Sequence, residues 1–311
     1  MAKHSVRNIP EASIKDWISA FRLRTLPLAL ASIALGGFLA AVEHKFRLSV
    51  FLLSALTTIL LQILSNLAND YGDAIHGADL AESGRKGPQR AVSSGVISAS
   101  SMLKALVVFA IMSFVAGTTL LLIAFDQIDL QFLIFIILGL LAIAAAIKYT
   151  AGSNPYGYAG LGDVSVLLFF GLIGVLGSSY LHANSIQLTH ILPALSCGFF
   201  ATAVLNVNNI RDIDSDLKAG KLSIPVRIGR KNALIYHAFL LTSGVVCAVV
   251  YVMLTYKSPI NWLFLVSIPL MNINLRAVMQ KTVPAELDPY LKQMALTTLL
   301  FVVSFGLGQI L

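Results

Sequence analysis

Two short clusters of aspartate and asparagine, 139 residues apart, carry most of the chemistry that can be read in this chain. The first comprises Asn66, Asn69, Asp70 and Asp73, and the second Asn208, Asn209, Asp212 and Asp216. Asn66, Asp70 and Asp73 are spaced i, i+4, i+7, and Asn69 and Asp73 are also four apart. Asn208, Asp212 and Asp216 are spaced i, i+4, i+8, with Asn209 three before Asp212. Residues at these spacings share one face of a helix. Each cluster therefore predicts a stripe of carboxylates flanked by carboxamides. Asp79, Glu82 and Asp214 fall outside the stripes and read as solvated helix-end residues.

Such a stripe is unfavourable alone. Its carboxylates repel, and an acid near a bilayer centre costs about 2.5–3.5 kcal/mol on insertion scales. A hard divalent cation offsets both terms. Mg²⁺ prefers oxygen ligands and typically sits between one or two carboxylates and substrate phosphates. Asp70, Asp73, Asp212 and Asp216 are the expected metal ligands, with Asn66, Asn69, Asn208 and Asn209 as supporting oxygens or donors around a diphosphate. Nearby Arg85, Lys86, Arg90, Lys148, Lys221 and Arg227 suit the same anion. Arginine meets phosphate bidentately, and lysine acts as a point charge. Membrane topology alone also predicts basic residues at these places.

The elements that must hold the stripes are membrane helices. Of 311 residues, 57% are hydrophobic and 12% charged, and the mean hydropathy is +0.81. Soluble domains average about 25% charged residues. A spanning helix needs roughly 20 apolar residues. Nine such runs are predicted, near 23–42, 49–68, 102–124, 130–148, 161–181, 190–209, 233–255, 260–277 and 292–311. The fold class expected is an all-α polytopic membrane protein, a single domain over 1–311 with nine helices around a central cavity. The first 16 residues are polar and precede no small-residue cleavage site, so the first helix is expected to stay in place.

With a cytoplasmic N-terminus, 19 of the 22 Lys and Arg residues fall on the inner side. That asymmetry predicts the orientation. It also accounts for the net charge of +7 without nucleic acid as a partner. Three polar inner loops are expected, at about 69–101, 148–160 and 208–232. The first and third open similarly, Asn69-Asp70-Tyr71-Gly72-Asp73 against Asn208-Asn209-Ile210-Arg211-Asp212. An internal duplication would place both around one cavity. Cys197 and Cys247 fall in spans without metal-ligand spacing and read as small buried apolar residues.

These residues resemble the UbiA superfamily of intramembrane aromatic prenyltransferases. Asn69-Asp70-x-x-Asp73 matches the start of its first motif, with Gly77 where a further Asp would fall. Asp212-Ile-Asp-Ser-Asp216 matches the second. The stretch from Asn66 to Asp79 is most similar to the menaquinone-pathway branch, the 1,4-dihydroxy-2-naphthoate polyprenyltransferases. So are Gly87-Pro88-Gln89-Arg90, Tyr149-Thr150 with Gly160-Leu-Gly-Asp163, Asn208 to Asp216 and Gly220 to Gly229. Arg24-Thr-Leu-Pro27 matches the family's opening.

The resemblance implies a Mg²⁺-dependent transfer of a polyprenyl group from polyprenyl diphosphate to 1,4-dihydroxy-2-naphthoate, at the inner face of the cytoplasmic membrane. Carbon dioxide leaves and demethylmenaquinone forms. It implies diphosphate contacts from Arg24, Arg90, Lys148, Lys221 and Arg227. Tyr149 would stabilise the allylic cation with its ring or serve as an interfacial tyrosine. Asp163 would orient the acceptor hydroxyl or cap a helix. Competing readings are an ion-coupled transporter, which predicts acids in mid-span, a headgroup transferase, whose Asp-Gly-x-x-Ala-Arg signature is absent, and the same fold with another acceptor such as 4-hydroxybenzoate.

Overall fold

A computed structural model describes residues 12–76 and 90–311; Gly77, Asp79, Glu82, Arg85, Lys86 and Gly87-Pro88-Gln89 lie outside that range. The described residues form helices and no strands, and nine segments among them are long and apolar enough to span a membrane. The all-α, nine-span expectation holds. The spans are built from α2 (Leu26–Val42), α3 (Leu48–Ile75), α4 (Ala99–Ala124), α5 (Leu130–Lys148), a composite fifth, α8 (Ile191–Arg211), α10 (Ile224–Thr255), the 3₁₀ stretch Pro259–Ser267 continued by α11 (Ile268–Gln280), and α12 (Asp288–Ile310).

Three local departures from the sequence reading matter for function. First, a short helix, α1 (Ile14–Phe21), precedes the first span. Its start is fixed by a capping box: the Ser13 hydroxyl accepts the Asp16 amide, and the Asp16 carboxylate accepts the Ser13 amide at 2.8 Å. Trp17, Ala20 and Phe21 pack on Ile63, Leu64 and Leu67 of α3. The helix ends at Arg22, whose left-handed φ of 50° turns the chain into α2.

Second, α3 runs past residue 68 to Ile75, so Asp70 and Asp73 stand on a helix rather than in a loop. The stretch 208–232 is likewise mostly helical. Asn208 and Asn209 end α8, α9 (Ile213–Lys218) follows, and α10 begins with Pro225 in its first turn. At Gly229 the backbone leaves helical geometry (φ 75°), which breaks α10 below its spanning part.

Third, the fifth span is irregular. Here α6 (Gly162–Val166) passes into a π-helical stretch, Leu167–Gly177, and then α7 (Ser178–Ala183). π-helical geometry is rare, and where it occurs as short bulges it is frequent at functional sites. Gly171 lets this wide segment approach α8: a Cβ there would lie 2.9 Å from the Ala194 carbonyl oxygen and 2.9 Å from the Gly198 Cα.

The bundle has a solid half and a hollow half. In the solid half, α2, α8, α10 and α12 close around Leu35, Leu39, Phe200, Leu240, Phe301 and Phe305. Phe200 meets Phe301 edge to face at 4.8 Å, and Phe264 adds a further ring. The hollow half lies between α2, α3, α4, α5, the π-helical span and α8, and encloses a cavity of about 900 Å³. Only Phe132 of α5 is buried, so that helix is mainly a wall between cavity and lipid.

Candidate active site

The cavity's polar mouth is assembled from both aspartate clusters and the segment between α5 and α6. Asn66, Asn69, Asp73 and Arg90 line it from one side, and Asn208, Arg211 and Lys221 from the other. Arg24, Tyr149 and Asp288 complete the ring.

Each side chain of the first cluster has a distinct partner. The Asn66 amide donates to the Phe21 carbonyl (2.9 Å) and to the Thr25 hydroxyl (3.0 Å), fixing the α1–α2 corner that brings Arg24 to the mouth. Asn69 accepts the Thr150 hydroxyl at 2.8 Å. Asp73 accepts the Tyr158 hydroxyl at 2.9 Å and pairs with Arg90. Asp70 turns aside. Its two oxygens accept the amides of Ala91 (3.0 Å) and Val92 (2.9 Å), so it holds the chain that carries Arg90. It faces a separate hollow of about 270 Å³ shared with Arg22 and Arg24.

In the second cluster, Arg211 is the hub. It donates to both oxygens of Asp212 (2.8 and 2.6 Å), to Asn208 Oδ1 (2.9 Å) and to Asp288 at the start of α12 (2.5 Å). Asp216 meets Lys221 Nζ at 3.4 Å and the Ser223 hydroxyl at 3.3 Å. Asn209 is 2% exposed, and its Oδ1 accepts no hydrogen bond among the described residues.

The segment between the clusters ties them together. Gly72 sits flat against it: a Cβ there would fall 2.4 Å from the Thr150 carbonyl oxygen. Tyr158 spans both sides, its hydroxyl on Asp73 and its carbonyl accepting the Leu222 amide at 2.9 Å. Tyr149 is wedged between Gly157 and Gly162, whose added Cβ atoms would meet it at 3.1 and 2.8 Å. Burial raises the Tyr149 phenol above its ordinary range, and nearby Asp163, Asp216 and Asp73 raise it further. Its hydroxyl therefore stays protonated, and carboxylates from both clusters act on one ring.

Not every expected residue reaches the mouth: Asn209, Asp212 and Asp216 lie outside the cavity lining, where Asp212 pairs with the lining Arg211 and Asp216 with the lining Lys221. Asp163 is buried and accepts the Tyr236 hydroxyl at 3.2 Å. Leu161 holds the cap position of α6, so the helix-cap alternative for Asp163 is corrected. Arg227 gives its guanidinium to the carbonyls of Leu222 (2.9 Å) and Ala159 (2.7 Å), where it clamps two loops. Lys148 is exposed outside the cavity lining. Among the described residues, no three acids, histidines or cysteines form a ready-made metal cage. Asp70, Asp73, Asp212 and Asp216 are each held by amides, hydroxyls or cations of the protein. The competing transporter reading required acids in mid-span, and these sit at the motif end of the helices.

Chain-wide comparison decides the family. A profile described as "UbiA prenyltransferase family" matches residues 29–305. The chain belongs to the UbiA prenyltransferase family. A UbiA-family relative from Escherichia coli K12, named 1,4-dihydroxy-2-naphthoate octaprenyltransferase, is 45% identical over 94% of this chain and 96% of its own. The fold matches the apo structure of a UbiA homolog from Aeropyrum pernix K1, with a TM-score of 0.68 and 15% identity, over 91% of this chain and 97% of that one. It also matches a UbiA homolog from Archaeoglobus fulgidus bound to DMAPP and Mg²⁺, with a TM-score of 0.57 and 16% identity, over 93% and 98% of the two chains.

Two mouth residues of this UbiA-family chain, Arg211 and Asp288, and one that ties the site together from behind, Tyr158, escaped the sequence reading. Arg211 lies inside the second cluster, yet it counted there as one more inner-side cation. Tyr158 carried no signal beyond the aromatic richness of 148–160. Asp288 lies 72 residues beyond Asp216, and only folding brings it to Arg211.

Proposed function

We propose that this chain transfers a polyprenyl group from polyprenyl diphosphate to 1,4-dihydroxy-2-naphthoate, releasing diphosphate and carbon dioxide and giving demethylmenaquinone in its quinol form. One observation carries this reading. A single cavity joins a mouth lined by carboxylates, amides and cations to an apolar chamber that crosses the bundle. That shape suits an amphiphile with a strongly charged head and a long hydrocarbon tail. The relative named above supplies the acceptor.

The mouth residues then have definite tasks. Arg24, Arg90 and Lys221 neutralise the diphosphate oxygens as the allylic C–O bond breaks and its electrons pass to the leaving group. Arg211 adds charge from its fixed position against Asp212 and Asp288. The neutral ring of Tyr149 faces the electron-poor carbon. A nucleophilic ring carbon of the acceptor forms the new C–C bond, and the carboxylate departs as carbon dioxide. Asp163 acts one layer back, through Tyr236 and beside Tyr149. The enclosing helices exclude water that would trap the cation.

Mg²⁺ fits this donor set. The donor set is all oxygen: Asn69, Asp73 and Asn208 line the mouth, Asp212 and Asp216 stand behind Arg211 and Lys221, and the buried Oδ1 of Asn209 accepts no hydrogen bond among the described residues. When bound, the ion supplies concentrated positive charge to the departing diphosphate. Asp70 supports the site by holding residues 91–92. The mouth faces the cytoplasm in this reading, because most Lys and Arg residues lie on its side.

The test is to incubate membranes containing the protein with labelled prenyl diphosphate and either dihydroxynaphthoate or 4-hydroxybenzoate. A labelled naphthoquinol lipid is expected, and product from 4-hydroxybenzoate alone would overturn the acceptor. Removing divalent cations with EDTA should stop turnover, and Mg²⁺ should restore it; undiminished activity in metal-free buffer would remove the metal role.

A further inference from the structure

The solid half of the bundle is not wholly apolar. His237 of α10 and Asn274 of α11 are fully buried in it, beside the core residues Leu240, Leu241 and Met271. His237 Nε2 meets Asn274 Oδ1 at 3.0 Å. The Asn274 amide nitrogen directs both its hydrogens to α12, one to the Tyr290 carbonyl (2.9 Å) and one to Gln293 Oε1 (2.5 Å). Gln293 in turn donates to the Leu270 carbonyl and to the Thr297 hydroxyl, both at 2.9 Å. The network therefore joins three helices and ends on backbone.

The direction of each bond follows. An amide nitrogen that donates twice leaves its oxygen as the acceptor, so the hydrogen between the two residues sits on His237 Nε2. A flipped Asn274 would set its oxygen against the Tyr290 carbonyl, two acceptors face to face. His237 thus fixes which way Asn274 points. Its other nitrogen, Nδ1, is buried and has no hydrogen bond among the described residues. A buried polar ring with one nitrogen unpaired is unfavourable, and an apolar ring would avoid that cost. Stability alone is a poor account of this histidine; orientation of its neighbour is a better one.

The bond to Tyr290 falls on the turn that matters for the mouth. Asp288 opens α12 two residues earlier and accepts Arg211 Nη1 at 2.5 Å. Arg211 and Asp288 both line the cavity. Leu287, just before them, is buried with Val207, Ala233 and Val278. That hydrophobic contact holds the turn down but has no direction. The Asn274 bond to the Tyr290 carbonyl is directional. We propose that His237 is a positioning residue for the diphosphate end of the mouth: through Asn274 it sets the first turn of α12, and through Asp288 it sets where Arg211 points. The diphosphate role of Arg211 rests on the proposed function. Arg211 also holds Asp212 and Asn208, so losing the network loosens the guanidinium without releasing it.

The test is a double-mutant cycle on the full-length protein in lipid nanodiscs, read by binding of inorganic diphosphate with Mg²⁺ and by transfer kinetics. His237→Phe should weaken diphosphate binding about three- to fivefold. It should lower kcat/KM for the donor equally and leave KM for the acceptor unchanged. His237→Gln, whose amide can donate where Nε2 did, should stay within about twofold of the unaltered protein. In an Asp288→Ala background, His237→Phe should add less than about 1.5-fold, because both changes act on one guanidinium. A full further loss in that background, or equal losses in the Phe and Gln variants, would overturn the proposal. Should His237→Phe fail to fold, Asn274→Asp runs the same cycle, since its carboxylate can accept from His237 but cannot donate to Tyr290. Failure of both to fold would make the network structural and end the proposal. Product formation with additive losses would sink this inference alone. Coupled diphosphate binding without product would remove the named activity and leave the positioning role.

Discussion

Tyr149 is the residue whose chemistry can be separated most cleanly. Its phenol is held neutral among carboxylates, so the role proposed for it falls to the ring rather than the hydroxyl. Tyr149→Phe should keep kcat within about tenfold. Tyr149→Leu should lose roughly thirtyfold, the equivalent of about 2 kcal/mol for a desolvated cation–π contact. Single-turnover rates with saturating donor check this, and equal losses in both variants would transfer the role to the hydroxyl. Asp288 gives a weaker test. It is partly exposed, with 38% of its side chain open, so solvent screens its pairing with Arg211. Asp288→Ala should cost about 1 kcal/mol or less, up to roughly fivefold in kcat/KM, and Asp288→Glu should recover most of it. The contrast with Asp73 and Asp212 explains what could be read from residues alone. Those acids announce themselves because carboxylates spaced along an apolar helix have no bland explanation. Asp288 and Tyr158 act through contacts between distant segments, and no local spacing encodes such contacts.

At the scale of elements, the nine spans were legible because apolar runs of this length have few other uses. Their ends were not. Hydropathy falls at residue 68, yet α3 continues to Ile75 because Asn66, Asn69, Asp70 and Asp73 find partners there and need no water. The same substitution of protein partners for water turns most of 208–232 into helix. The π-helical stretch and the break at Gly229 depend on packing and on one backbone angle, and periodicity carries neither. Gly72 shows how an element depends on a missing atom. Gly72→Ala would press a methyl group into the Thr150 carbonyl and part α3 from the 148–160 segment. The Asn69–Thr150 and Asp73–Tyr158 bonds would loosen together. The expected result is loss of transfer by two orders of magnitude or more, with a monodisperse protein of lower melting temperature in detergent. Unchanged activity would mean that the two segments need not touch.

At the scale of the whole molecule, the hollow half sets what the enzyme can accept. A Cβ at Gly139, halfway along α5, meets nothing within 4 Å, although the residue lines the cavity. Gly139→Leu should therefore fill space rather than create strain. KM for an eight-unit donor should rise several-fold, while a two-unit donor that ends short of this depth should be unaffected. An equal effect on both lengths would place the tail elsewhere. Sequence reading supplied the existence of a chamber but not its reach, because helices facing lipid and helices facing a tail are apolar alike.

The division of the bundle also bears on how such an enzyme can change over generations. Phe200, Phe264, Phe301 and Phe305 sustain the architecture from one side, and none of them lines the chamber on the other. Mutational drift along α3, α4 and α5 can thus alter which lipids are handled without threatening the scaffold. One ancestral framework could diversify into many chemistries with its interlocked aromatic half left untouched.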